Sequence, residues 1–121
     1  MRLFGLGGAM AAVWLVAGCA GVAGFGAPPF SALQARCGAQ TDYRADAQAV
    51  YSTLLDAYVA YRHGGISESD YCAFEASLAE RHAALASGDA AARLAWIKFF
   101  NDARVQAIDW RAPVDPSLRG G

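Results

Sequence analysis

Positive charge is not in excess in this chain: ten lysines and arginines stand against eleven aspartates and glutamates over 121 residues, a formal net charge of −1. A nucleic-acid binder shows a basic face, so no nucleic-acid partner is expected. Histidine is scarce as well, at two residues. Imidazole, thiolate and carboxylate together bind zinc, but His63 falls at a helix end and His82 lies off the Cys72 side of its helix. Neither joins Cys72 or Glu75 in a ligand set, so no metal and no cofactor is expected. No motif sets a nucleophile beside a base, a second carboxylate or an oxyanion donor. No catalytic residue is therefore assigned, and the chain is read as not an enzyme. Gly5, Gly7 and Gly8 make a glycine-rich string, but no strand precedes a helix there, which excludes a phosphate loop. Internal repeats are absent, and no segment requires a strand.

What is present begins at the N-terminus. Met1 and Arg2 form a short positive start, Leu3 to Trp14 an apolar run, and Val16-Ala17-Gly18-Cys19 follows with small residues directly before a cysteine. A charged start, an apolar stretch of about 7–15 residues and a small-residue cleavage site are the parts of a signal peptide. In this order they resemble the lipobox of bacterial lipoproteins. The resemblance covers only this segment. It implies removal of residues 1–18, a thioether-linked diacylglycerol on Cys19 and fatty acylation of the new amine. It also implies attachment to the cell envelope, with Ala20 rather than aspartate after the cysteine favouring the periplasmic face of the outer membrane. The alternatives are an ordinary secretory signal cut elsewhere and an uncleaved span. The latter wants about 20 apolar residues, and the abundance of Gly and Ala argues against it. Residues 19–40, rich in Gly and Ala with Pro28 and Pro29, are read as a tether.

Of the three cysteines, a lipidated Cys19 leaves Cys37 and Cys72 as an even pair, and an exported chain meets an oxidising compartment. A disulfide between them faces a geometric obstacle. Cys72 falls in the first turns of its helix, roughly 20 Å along a hairpin from the start of the preceding one, and six extended residues reach only about that far. The bridge requires that the chain before the first long helix fold back along the bundle, or that this helix start late, near Asp46. An intermolecular bond and free thiols are the other outcomes.

The remaining pattern is helical. A short helix is placed at about 31–37, with Ser31 as N-cap and Gly38 as stop. Tyr43, Ala47, Val50, Tyr51, Leu54, Tyr58 and Tyr61 recur every three or four residues, which predicts an amphipathic helix from about Asp42 to His63, capped by Thr41 or Asp42 and ended by Gly64-Gly65. Ser67-Glu68-Ser69-Asp70 is a capping-box-like start for the next helix. Tyr71, Phe74, Leu78 and Leu85 line its core face, and Cys72, Ala76, Ala79, Ala83 and Ala86 form a small-residue side that would admit a neighbouring backbone. After Ser87-Gly88-Asp89, a third helix spans about Ala90 to Asp109, with Trp96, Phe99, Phe100, Ala103 and Ala107 inward. Leu94, Ile97 and Ile108 lie beyond that arc, and Lys98, Asp102 and Asp109 face water. Short turns make neighbouring helices antiparallel. The expected fold is all-α: a three-helix bundle over 41–110, with residues 111–121 as an extended tail ended from helix by Pro113 and Pro116.

Two groups of side chains stand out on these helices. Arg104 projects between apolar arcs, and Glu75 on the core edge of the second helix is its expected ion-pair partner. Phe99 and Trp110 exceed what one core stripe needs, and with Arg111 and the tail to Arg119 they are read as a partner-binding surface. Together these readings describe a membrane-anchored envelope lipoprotein that binds or positions another envelope protein through a helical face. By analogy alone, small helical lipoproteins that pilot secretion-channel subunits share this build. The competing expectation is a module that takes a small apolar ligand or lipid between Tyr51, Tyr58, Phe74 and Trp96. Oligomeric state is left open.

Overall fold

The structure, a computed structural model, describes residues 26–115. The signal segment, Cys19 and the end of the tail from Pro116 lie outside the described residues. Among the described residues four helices follow one another: α1 (Phe30–Ala35), α2 (Ala47–Arg62), α3 (Glu68–Ala83) and α4 (Ala90–Arg111). Single 3-10 turns at Arg44–Asp46 and Ala84–Ser87 lead into α2 and out of α3. Among the described residues there is no strand, and no helix is long and apolar enough to cross a membrane.

The three long helices form the antiparallel bundle. Their shared core holds Val50, Leu54 and Ala57 of α2, Tyr71, Phe74 and Leu78 of α3, and Trp96, Phe100, Ala103 and Ala107 of α4. Each large side chain buried there contributes roughly 1.5–3 kcal/mol of transfer free energy. The closest helix pair is α2 with α4, and both carry buried alanines, Ala57 and Ala60 on α2 and Ala103 and Ala107 on α4. The small-residue side of α3 admits a neighbouring backbone over part of its length: Cys72, Ala76 and Ala79 face the chain around Cys37, while Ala83 and Ala86 are exposed.

The ends of the helices are mostly set by local chemistry. Gly64 takes φ +81°, and Gly64 and Gly65 donate their N–H groups to the carbonyls of Tyr61 and Ala60, a Schellman closure of α2. Gly65 has a second constraint: a Cβ there would lie 3.2 Å from the carbonyl oxygens of both Ala60 and Trp110. At α3 the capping box forms, with the Asp70 N–H donating to Ser67 Oγ at 3.0 Å and the Ser67 N–H to Asp70 Oδ2 at 3.4 Å. Asp89 caps α4 by accepting from the Ala92 N–H at 2.9 Å.

Three boundaries differ from expectation. The first helix starts at Phe30, because the carbonyl of Pro29, held extended, accepts from Ala32 and Leu33; Ser31 is not its cap. Residues 30–40 are also part of the folded body and not of a tether. Leu33 is buried in the core, and the buried Gln34 amide accepts from the Thr41 N–H at 2.7 Å and donates to the Thr41 carbonyl at 3.4 Å. The second helix starts at Ala47 rather than Asp42. Asp42 uses its carboxylate to accept from the Arg44 N–H at 2.9 Å, Arg44 adopts φ +52°, and the resulting turn delays the helix. Finally, α4 runs to Arg111, and residues 112–115 turn back instead of extending: Val114 and Asp115 donate to the Arg111 carbonyl.

That late start of α2 removes the obstacle to the disulfide. The chain from Arg36 to Asp46 lies back along the bundle, and Cys37 and Cys72 are bonded with their Cα atoms 5.5 Å apart. The bond ties α1 to α3 across 35 positions of sequence. Tyr71 reinforces the same junction by donating its hydroxyl to the Leu33 carbonyl at 3.0 Å.

Candidate functional site

The antiparallel crossing of α3 and α4 leaves an open groove of about 400 Å³ between them. Phe74 and Ala103 form its floor where the two helices meet, and Phe99 and Trp110, both half-buried, form its walls. Trp110 stands edge-on to Phe74, with ring centroids 5.2 Å apart. Phe99 is held from the other side by Arg81, whose guanidinium lies 4.9 Å from the ring centroid. Ala73, Ser77 and Gln106 also line it, and among the described residues its charged members are two carboxylates, Asp70 on α3 and Asp102 on α4. An aromatic floor under a negative rim suits an apolar side chain that carries a cation beside it.

Of the three residues expected to form a docking surface, the structure brings Phe99 and Trp110 together and takes Arg111 away. The Arg111 guanidinium bonds Asp56 of α2 and Asp115, each at 2.7 Å. Burial works against its charge, but the two carboxylates outweigh it and hold the guanidinium pKa above its usual value. Arg111 is thus a clamp between α2 and the turn after α4.

Glu75 and Arg104 do not pair. Arg104 is exposed on α4, while Glu75 is only 6% exposed and turns toward the disulfide, beside a cavity of about 120 Å³ lined by Cys37, Thr41, Cys72 and Ala79. Its Oε1 has no hydrogen-bond partner among the described residues. Burial without a partner pushes its pKa up, to about 7. The neighbouring tyrosines respond in the same sense: burial, and secondarily the Glu75 charge, raise Tyr43 to about 12 and also raise Tyr71.

A polar cluster that the helical pattern did not point to joins three elements. Asp46, at the end of the 3-10 turn, is bonded by His82 Nε2 at 3.0 Å and by both terminal nitrogens of Arg93 at 3.3 and 3.5 Å. The His82 ring lies between Tyr43 and Trp96, with centroids 5.0 Å from each. No periodicity in the sequence marks Asp46, which lies before α2 and is half-buried. Among the described residues no group of three or more His, Cys, Asp or Glu side chains is arranged to hold a metal.

The four aromatics considered for an apolar ligand are dispersed. Tyr51 donates to the Pro28 carbonyl, Tyr58 packs on Tyr61 and Tyr71, Trp96 stacks on Phe100, and only Phe74 reaches the groove. No protein-family model matches the chain, and neither the curated proteins nor the solved structures give a significant match.

Proposed function

We propose that this chain is a lipid-anchored envelope protein without catalytic activity that binds another protein in the α3–α4 groove. The observation that carries the proposal is the groove itself: half-buried Phe99 and Trp110 stand over a floor of buried Phe74 and Ala103 between two helices, and among the described residues its lining is charged only at Asp70 and Asp102. Aromatic side chains in a partly desolvated recess are the usual anchors of protein interfaces. The acidic rim selects a partner segment that presents an apolar side chain flanked by lysine or arginine. The anchor follows from the likeness of Val16-Ala17-Gly18-Cys19 to a lipobox, and the pilot-like analogy is one form such an assembly role takes.

The two parts are tested separately. Replacing Cys19 by alanine should abolish lipidation and the cleavage before residue 19, leaving a longer chain that takes up no labelled fatty acid; unchanged processing and acylation would contradict the anchor. Ala73 is exposed at the groove edge, and Ala73→Arg places bulk and opposite charge there without touching the core. It should remove copurification of the partner while leaving thermal stability unaltered. Retained copurification would contradict the groove.

A further inference from the structure

The face of α4 that points away from the core is apolar, which a surface helix does not need. Leu94 is 68% exposed, Ile97 43%, Val105 60% and Ile108 44%. At 100° per residue these four and Asn101 fall within one narrow stripe, opposite Trp96, Ala103 and Ala107. Isolated exposed apolar residues are ordinary, but a contiguous stripe marks a contact surface.

The stripe has an internal symmetry that identifies its occupant. Leu94 and Ile108 stand seven residues to either side of Asn101, and Ile97 and Val105 stand four to either side. A helix with that spacing presents the same apolar profile read in either direction, so a second copy laid antiparallel matches it position for position. The flanks are suited to the same arrangement. A two-fold axis through Asn101 keeps each flank facing its own copy. On one flank lie Lys98 and Asp102, both exposed, and the axis brings each Lys98 beside the partner's Asp102. On the other flank the Arg104 stem covers Ile97 of the second copy. Lys98 is the only lysine of the chain, and among the described residues none of the ion pairs within one copy uses it.

We infer that α4 is the interface of a homodimer, in which two copies pair antiparallel through Leu94, Ile97, Asn101, Val105 and Ile108, with Lys98 of each set against Asp102 of the other. A two-fold contact of this kind is isologous and closes on itself. One helix from each side buries an area at the low end of specific interfaces, so the dimer is a weak one. The inference rests on neither the lipid anchor nor a partner in the groove, although Asp102 also lines the groove rim; Val105 lies on the stripe alone, and Ala73→Arg leaves the stripe untouched.

The test uses the full chain in non-ionic detergent, prepared in 14N and 15N forms and mixed before carbodiimide coupling. Lys98 and Asp102 are also four apart in one helix, so only a crosslink that joins a light to a heavy chain counts. The expected product is a mixed-isotope dimer joined from Lys98 to Asp102. In parallel, sedimentation equilibrium should show Lys98→Asp and Asp102→Lys each weakening the dimer about tenfold, with the double exchange restoring it. Val105→Asp, at an exposed position, should give monomer. Crosslinks confined to single chains, a dimer indifferent to the charge reversals, or a monomer whose stripe binds phosphatidylglycerol vesicles would each overturn the inference.

Discussion

His82 Nε2 and Asp46 Oδ2 meet at 3.0 Å, joining the last turn of α3 to the turn that precedes α2 across 36 positions of sequence. The contact explains why Asp46 stands at the N-cap position of α2 without capping it: its carboxylate is engaged by His82 and Arg93. Burial tends to raise the Asp46 pKa, but the bonds from Arg93 and His82 outweigh it, and the carboxyl titrates below its usual value. A folded pKa below the unfolded one contributes stability above the unfolded value, near 3.9, which is lost as pH falls through the folded value. Asp46→Asn should therefore cost about 1–3 kcal/mol near neutral pH and cost little at pH 2, as read from urea unfolding at the two pH values.

Glu75 carries the opposite sign. Its carboxyl is raised from 4.5 to about 7 by burial, next to Tyr43 and Tyr71. Below pH 4.5 both folded and unfolded chains hold the proton. Between 4.5 and about 7 only the folded chain does, so stability falls as pH rises through that window. Above it the cost stands at its full size, on the order of 3 kcal/mol. Glu75→Gln should raise stability at about pH 8 by roughly 1–3 kcal/mol and change it little near pH 4.5. Equal effects at both pH values would contradict the placement of the carboxyl.

The disulfide constrains the unfolded chain by closing a loop between positions 35 apart, worth about 4 kcal/mol if unfolded-state entropy dominates. Cys37→Ser with Cys72→Ser should lower the melting temperature by more than about 10 °C. Because α1 is held to α3 through this bond and through the Tyr71 hydroxyl, amide exchange in residues 30–41 should accelerate more than in α2.

Gly65→Ala tests the packing of the α2–α3 turn. Its Cβ would press at 3.2 Å on the carbonyl oxygens of Ala60 and Trp110 and at 3.4 Å on Val114 Cγ1. Neither carbonyl can move without loosening a helix end, so a loss of about 1–3 kcal/mol is expected in denaturant melts. The displaced Trp110 should also alter groove binding.

The helical bundle was largely legible in the residues, because apolar periodicity and glycine stops act locally. Gly38, Gly64, Gly88 and the Ser67 capping box appear where the sequence places them. What was not legible depends on contacts made between distant segments. Periodicity does not say that Gln34 will pair with the backbone of Thr41, so residues 30–40 read as tether and not as body. It places Glu75 and Arg104 on helix edges but not against each other, since a small change of helix rotation turns Glu75 toward Cys37 and Arg104 toward water. Phe99 and Trp110 were recognisable as surplus aromatics. Asp70 and Asp102 were visible only as a helix cap and a water-facing acid, and become a rim once α3 and α4 lie side by side.

The groove as a protein-binding site is tested most directly by a photo-crosslinking residue at Gln106, which is exposed within the lining, in the full chain in intact cells. The expected result is one protein adduct that Ala73→Arg abolishes, with the crosslink mapping to a partner segment bearing an apolar residue beside lysine or arginine. Adducts to phospholipid alone, or a protein adduct that persists in Ala73→Arg, would contradict it.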